Sequence, residues 1–283
     1  MLASQLNVCF SANNAYAQHF CVACYSLLKN TPGDWNIYLL TDDLDELNEK
    51  KVQEMVSKVS KNSSIEIIRV SADDFKQFPK IDRLGIQAYF RLNITKLLPQ
   101  SVDTLLYLDS DLIVLKNILE VLPSNINGPL LAVQDGASKS QQIKRNLQSQ
   151  YFNSGVLVIP MNYWRDNHVS EKILAREYAN IALADQDILN DFFNGEWKNL
   201  DKRLNVKGFD PKYMNYFSFL EVHKEAYIIH YMDVWKPWNR IFRTGLIYWR
   251  YLLKTPYRFN CIKLPSVLFK TFKQILFARK NVN

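Results

Sequence analysis

Cysteine, glycine and proline are scarce in this 283-residue chain, at four, eight and ten. The cysteines, Cys9, Cys21, Cys24 and Cys261, are too few and too scattered for a disulfide framework, which fits a reducing compartment. Cys21 and Cys24 form a C-x-x-C pair, but no second pair completes a four-ligand zinc site. Small packing residues on an apolar helix are the better reading. No stretch reaches the ~18 apolar residues of a membrane span, and the N-terminus lacks the charged and apolar regions of a secretory signal. A cytosolic chain without a spanning helix is expected. No internal repeat is visible. With 48% hydrophobic residues, the chain has material for one large domain or a domain with an appendage, and does not read as disordered.

Acidic residues are absent from Val234 to Asn283, a stretch that carries eleven Lys and Arg. The net charge is +7, so the remainder holds 24 basic and 28 acidic residues, a balance of −4. That asymmetry suggests a body that does chemistry and a tail that meets an anionic surface. Nothing in the tail matches a nucleic-acid-binding module, and no nucleic-acid partner is expected.

Strand and helix patterns alternate. "LNVCFSA", "WNIYLLTDD", "SIEIIRV", "TLLYLD", "PLLAVQD", "SGVLVIP" and the late "EAYIIHY" read as strands. Helices are expected from about Tyr16 to Leu28, over "DLDELNEKKVQEMVSKVS", over residues 84–98, over "MNYWRDNHVSEKILAREYA" and over "DQDILNDFF". The alternation implies an α/β fold with a mostly parallel sheet, whose ligands bind beyond the carboxyl ends of the strands. Ser11 and Asn13 follow the first strand, Asp109 and Asp111 the fourth, and His230 ends the last.

Asp109 and Asp111 stand one residue apart in "TLLYLDSDLIVL". Alternate residues of a strand share a face, so the two carboxylates can converge. Such a pair repels unless a proton or a cation intervenes. Hard oxygen ligands suit Mg²⁺ or Mn²⁺, and an added imidazole tilts the choice toward Mn²⁺. Taken alone, D-x-D serves equally well to cap the turn after a strand.

The chain also reads "FSANNAYAQHF", "YFRL", "YLDSDLIVL", "YFNSGVLVIP", "ADQDILN" and "IIHYMDVWKPW", in that order. This series, spread over roughly residues 6–240, resembles retaining glycosyltransferase family 8, which includes bacterial lipooligosaccharide and lipopolysaccharide hexosyltransferases and glycogenin. The resemblance implies a Rossmann-like glycosyltransferase type A fold and a UDP-sugar donor. It implies Mn²⁺, with Mg²⁺ as the alternative, held by Asp109, Asp111 and His230. Donor-binding positions are implied at Ser11, Asn13, Arg91, Ser110, Asn153, Ser154 and Lys236, with Asp109 shared. Asp185 and Gln186 are implied beside the donor sugar and its anomeric carbon, and Asp135 on the acceptor side. His19, His168 and His223 have no motif around them and read as ordinary histidines.

The chain departs from the family where Asn13 and Asn14 replace acids, where Ala15 replaces an asparagine and where Asp233 replaces a glycine near the diphosphate. The activity implied is metal-dependent, retaining transfer of galactose or glucose from a UDP-sugar to a carbohydrate or lipid-linked glycan, in bacterial surface glycan synthesis. Gln186 is a poor nucleophile, so attack from the leaving-group face is favoured over a covalent intermediate, with Gln186 stabilising the oxocarbenium-like centre. A glycogenin-like self-glucosylating enzyme and a nucleotide-sugar-binding protein without turnover are the alternatives.

The expected division is a transferase domain over 1–239 and a basic, aromatic, membrane-associating tail over 240–283. If the tail is helical, Arg240, Arg243, Arg250 and Lys254 share one sector, and Phe242, Leu246, Trp249 and Leu253 another. Phe269, Phe272 and Phe277 follow among lysines. Aromatic residues beside cations suit a helix lying on an anionic bilayer, which puts the protein on the inner face of the membrane.

Overall fold

The structure is a computed structural model that describes residues 6–81, 84–126, 128–147, 150–208 and 224–269. The main sheet contains β1 (Leu6–Ser11), β2 (Trp35–Thr41), β3 (Ser64–Arg69), β4 (Thr104–Leu108), β6 (Leu131–Gln134), β7 (Phe152–Pro160) and β8 (Lys198–Asn199), in the order 3-2-1-4-7-6-8. Strands β3, β2, β1 and β4 run parallel, and β7 runs antiparallel to both β4 and β6. A smaller sheet joins β5 (Leu112–Val114), β10 (Ile228–His230) and β9 (Val206–Lys207).

Alternation along the central strands divides the core in two. Leu106, Leu108, Val156 and Val158 face one apolar cluster, while Leu105, Tyr107, Leu157 and Ile159 face the other. Helices α1 (Ala17–Asn30) and α2 (Glu46–Val59) cover the first face. Asp45 caps α2, its side chain accepting from the Asn48 N–H at 2.7 Å. The second face is covered by the 3₁₀ segment Ile86–Asn93, α3 (Ile94–Leu97), α5 (Met161–Asp166), α6 (Val169–Ala175) and α7 (Asp185–Phe193). A further helix, α4 (Ser138–Arg145), follows β6. Because β1 lies between β2 and β4, the crevice at its carboxyl end is where strand order reverses, the place such sheets bind ligands.

Two expected helices differ. Residues 84–98 form mostly 3₁₀ turns rather than one α-helix. The helix expected from Met161 is interrupted at His168, which takes φ +51° and separates α5 from α6. His223, Phe272 and Phe277 lie outside the described residues.

The C-terminal segment requires a larger correction. The helix there, α8, spans Gly245–Leu252 and not the residues from 240 onward. Its Gly245, Tyr248, Trp249 and Leu252 are buried, an i, i+3, i+4, i+7 pattern that makes one apolar face against the body. Polar contacts tie the segment down: Tyr248 Oη accepts from Gln18 Nε2 at 2.7 Å, Asn30 Nδ2 donates to Tyr251 Oη at 2.6 Å, and Tyr257 Oη donates to Asn48 Oδ1 at 2.6 Å. Burying each such large side chain is worth about 1.5–3 kcal/mol, and together they rival a domain's net stability. The boundary at residue 239 therefore does not separate two packing units. Trp249, expected on a lipid-facing sector with Leu246 and Leu253, is buried, while those two leucines are exposed.

Candidate active site

Strand β4 ends at Leu108, and the next residues, Asp109 to Asp111, carry the chain out of the main sheet into β5. Antiparallel pairing of β5 with β10 sets His230 opposite Leu112. That register brings His230 Nε2 to 2.9 Å from Asp111 Oδ1 and 3.5 Å from Asp109 Oδ2. The ligand atoms of these three residues lie within 4.8 Å of one another. Strand β7 passes behind them at Gly155, whose carbonyl accepts from the Asp109 N–H at 2.9 Å. A Cβ at residue 155 would stand 2.2 Å from His230 Cε1 and 2.8 Å from Asp109 Oδ2. The glycine of "YFNSG" is thus required by close approach, not by its backbone angles.

Two cations attend the acids. Arg91, 4% exposed, donates from Nη2 to Asp109 Oδ1 at 2.7 Å and from Nη1 to the Ser154 carbonyl at 2.5 Å. Its Nε lies 3.2 Å from Asp185 Oδ2, and its guanidinium stacks 4.0 Å over the Tyr107 ring. A buried arginine with this many partners orders the site, because each unpaired charge would cost several kcal/mol. Lys236 Nζ is ion-paired to Asp111 Oδ2 and donates to the Tyr231 carbonyl at 2.5 Å. Burial works to raise the Asp111 pKa, but Lys236 and His230 outweigh it and hold the carboxyl well below its usual range. At Asp185 burial wins over Arg91 and pushes the carboxyl up to about 6.

The donor set fits a hard divalent ion: two carboxylates and an imidazole converge, and the buried Asp111 Oδ1 has no neighbour to bond except the His230 ring nitrogen 2.9 Å away. Every site candidate named from the sequence lines one cleft of about 1100 Å³ at the carboxyl end of β1 and β4. A volume of that order accommodates a nucleotide-sized ligand.

The profile of glycosyl transferase family 8 matches residues 7–242. The chain belongs to glycosyl transferase family 8. It is 29% identical over 245 residues to a putative glycosyltransferase of Haemophilus influenzae, covering 83% of this chain and 73% of that protein. It is 27% identical over 251 residues to the lipopolysaccharide 1,2-glucosyltransferase of Escherichia coli K12, covering 83% and 73%. The crystal structure of the galactosyltransferase LgtC with donor and acceptor sugar analogues superposes with a TM-score of 0.75 at 23% identity, over 89% of this chain and 96% of that one. The fold is therefore the glycosyltransferase type A fold.

Within that family frame the individual candidates sort out. Ser110 Oγ donates to the Ser11 carbonyl at 2.8 Å, clasping the ends of β1 and β4 at the switch point. Asn13 Oδ1 accepts from the Tyr16 N–H at 2.9 Å, which leaves its Nδ2 toward the cleft and Gln87. Asn14 does not line the cleft; its side chain is engaged by Asp45 and Asn48 at 2.7 Å each. Asp135 Oδ1 accepts from the Ala137 N–H at 2.7 Å. Asp233 takes φ +56°, the left-handed region that explains why glycine suits this position. Its carboxylate lies 2.8 Å from Lys207 Nζ, so it does not meet the diphosphate end of the cleft as an unpaired charge. His19 is a core histidine, stacked 3.5 Å from the Trp238 ring and 2.7 Å from Tyr248 Oη.

Gln186 and Asp187 open α7 behind Ala184, which is buried at φ +48°, a strained setting for a residue with a Cβ. Gln186 Oε1 accepts from Asn153 Nδ2 at 2.8 Å and from the Ser154 N–H at 3.2 Å. Both lone pairs are engaged, so in this conformation the oxygen does not face an anomeric carbon. Asp187 accepts from Tyr151 Oη at 2.6 Å and from the N–H groups of Ala182 and Leu183 at 2.7 and 2.8 Å, with Arg145 beside it at 3.1 Å. It holds α7 in place and presents no free carboxylate oxygen. One residue of the site escaped the sequence reading. Asn205, buried between Asn153 and His230, stands in no motif there, and only the pairing of β9 with β10 brings it in.

Proposed function

We propose that the protein transfers a hexosyl group, glucose or galactose, from a UDP-sugar to a carbohydrate acceptor with retention at the anomeric carbon. The observation that carries this reading is the Asp109–Asp111–His230 cluster at the strand switch point of a type A fold. Asp109, Asp111 and His230 would hold Mn²⁺, or Mg²⁺ as the harder alternative. Bound there, a divalent ion neutralises the charge that develops on a departing diphosphate. Lys236, next to Asp111, adds a charge-assisted contact on the same side. Arg91 holds Asp109 and Asp185 in register, and Asn153, Ser154, Asp185 and Gln186 line the donor-sugar side of the cleft. Ser11, Asn13 and Ser110 border the base and ribose side, and Asp135 the acceptor side.

Retention by two displacements needs a free carboxylate under the sugar. Asp187 is fully engaged and Asp185 is buried on Arg91. These engagements favour same-face attack: the acceptor oxygen bonds to the anomeric carbon as the bond to the diphosphate breaks, and the leaving phosphate oxygen takes the acceptor's proton. Gln186 then acts through Nε2 or after releasing Asn153, not through the engaged oxygen.

A lipopolysaccharide-type or other bacterial surface glycan is the proposed acceptor, on the strength of relatives named for lipopolysaccharide glucosyl transfer. Among the described residues no helix is long and apolar enough to cross a membrane. We place the protein in the cytoplasm on the inner membrane face, docked by residues 243–269, where Arg243, Leu246, Arg250 and Leu253 share the outer face of α8 and its approach. The test is a UDP-release screen with Mn²⁺ across UDP-glucose, UDP-galactose and their N-acetylated forms, with and without acceptor glycans, followed by NMR of the product's anomeric centre. Acceptor-stimulated release with retained configuration is expected. Acceptor-independent release, an inverted product or full activity in EDTA would overturn it.

A further inference from the structure

Gln186 is gripped at both ends of its amide. The Ser154 N–H donates to Gln186 Oε1 at 3.2 Å, and Asn153 Nδ2 donates to the same oxygen at 2.8 Å. At the other end, Gln186 Nε2 lies 3.3 Å from Tyr151 Oη. Tyr151 does not donate there, because its proton goes to Asp187 Oδ1, 2.6 Å away. Asp187 Oδ2 accepts from the N–H groups of Ala182 and Leu183 and pairs with the Arg145 guanidinium at 3.1 Å, which holds a carboxylate in place and leaves Oδ1 to accept. Arg145 is itself fixed by a second carboxylate, that of Asp191. Burial, with Asp187 beside it, pushes the Tyr151 phenol above its usual range, so the ring keeps its proton. Turning the Gln186 amide over would set Oε1 against an oxygen whose proton is committed elsewhere and Nε2 against a backbone N–H. Both bonds would be lost in a buried site.

A primary amide carries two N–H bonds. One of those on Gln186 goes to Tyr151; among the described residues the other has no partner, and Gln186 lines the cleft together with Asn153 and Asp185. We infer that Tyr151 is a positioning residue that fixes Gln186 with an N–H, not its oxygen, toward the cleft, and that this N–H binds a hydroxyl oxygen of the transferred hexose. An N–H presents the positive end of a dipole. It therefore orients the sugar and does not stabilise an oxocarbenium-like centre, the role the sequence suggests for Gln186. The sugar contact rests on the proposed hexosyl transfer; the orientation of the amide does not.

The test uses the full chain and two readouts. With ¹⁵N-labelled glutamine, NMR reads the side-chain amide of Gln186, identified by its loss in Gln186→Met. Tyr151→Phe should move one of the two amide proton signals upfield, as loss of a hydrogen bond does, and leave the other in place. Kinetics then compare UDP-glucose and UDP-galactose with analogues that each lack one sugar hydroxyl. Loss of the contacted hydroxyl should lower wild-type kcat/KM by about 10-fold or more and leave Gln186→Met indifferent. Tyr151→Phe should lower kcat/KM by about 10-fold with UDP affinity unchanged, and should cost nothing further in Gln186→Met. An amide unmoved by Tyr151→Phe, additive losses in the double variant, or no hydroxyl whose loss Gln186→Met tolerates better than wild type would overturn the inference. If Tyr151→Phe does not fold, the hydroxyl comparison between wild type and Gln186→Met decides it. A Tyr151-dependent amide in a chain that turns over no UDP-hexose would uphold the positioning and overturn the transfer reading together with the sugar contact.

Discussion

Around Asp109 the protein buries charge; along residues 243–269 it exposes hydrocarbon. Arg91, Asp185 and His230 are all under one-tenth exposed, yet each has a charged or hydrogen-bonding partner within 3.5 Å. In the C-terminal segment, Phe259 is 76% and Ile262 82% exposed, beside Arg258 and Lys263. Each arrangement is costly unless something answers it. Inside the cleft the answer is internal, in arginine, lysine and ordered amides, with one site left for a divalent ion. On the C-terminal surface the apolar groups and cations are turned outward, and the anionic bilayer proposed above as the docking surface would answer both. Buried charge marks where chemistry is held, and exposed hydrocarbon among cations marks where the protein meets something else.

The largest effect is expected at the buried end. Asp111→Asn keeps the shape but removes a charged ligand, and turnover should fall by ~10²-fold or more, with a lower melting temperature as well because Lys236 loses its ion-pair partner. Near wild-type turnover would remove the metal from this side of the comparison. Gly155→Ala sharpens it next. The added Cβ displaces the His230 ring, for a loss of about 1–3 kcal/mol in stability and about 10–100-fold in Mn²⁺ affinity. An unchanged Mn²⁺ titration would show that His230 need not sit against β7.

At the exposed end, Phe259→Ser with Ile262→Ser should weaken binding to anionic vesicles by ~10-fold or more, since each side chain burial is worth about 1.5–3 kcal/mol. Turnover on a water-soluble acceptor should stay unchanged. Each nearby cation adds about 1 kcal/mol, so high salt should weaken the wild type as well. Equal sedimentation of variant and wild type would end the membrane reading. Deleting the segment is a poor test, because Tyr248, Trp249 and Leu252 belong to the core.

The smallest effect lies at the seam between the two regions. Burial lowers the His19 pKa from 6.5 to about 3. The folded-state value lies below the unfolded one, so this stability is complete above pH ~6.5 and is lost as pH falls toward 3, at about 1.4 kcal/mol per pH unit. Acidification to about pH 5 should therefore lower wild-type stability by about 2 kcal/mol more than that of His19→Gln. Parallel pH profiles would mean that His19 is charged in the folded state.

Several features were legible because they are local or repetitive. Strand runs such as "TLLYLD" alternate between the faces of the sheet, so their apolar pattern announces itself. The D-x-D spacing marked Asp109 and Asp111 as a carboxylate pair, but they converge in the turn between β4 and β5 and not on a strand face; the ordered motifs from "FSANNAYAQHF" to "IIHYMDVWKPW" carried the family. His168 shows the limit at the local level: nothing in "MNYWRDNHVSEKIL" marks the left-handed residue that breaks the helix.

What the sequence alone determined was the alternation of elements, the presence of the acid pair and the family. Tertiary structure decided the partners. His230 meets Asp111 only because β5 leaves the main sheet to pair with β10, and Asn205 reaches His230 only because β9 pairs on the other side. It also decided that Trp249 turns inward while Leu253 turns outward, and that Gln186 commits its oxygen to β7. The physical reason is the same in each case. Spacing along the chain fixes which face a residue shares with its neighbours, but hydrogen-bond direction and burial depend on what distant segments bring against that face.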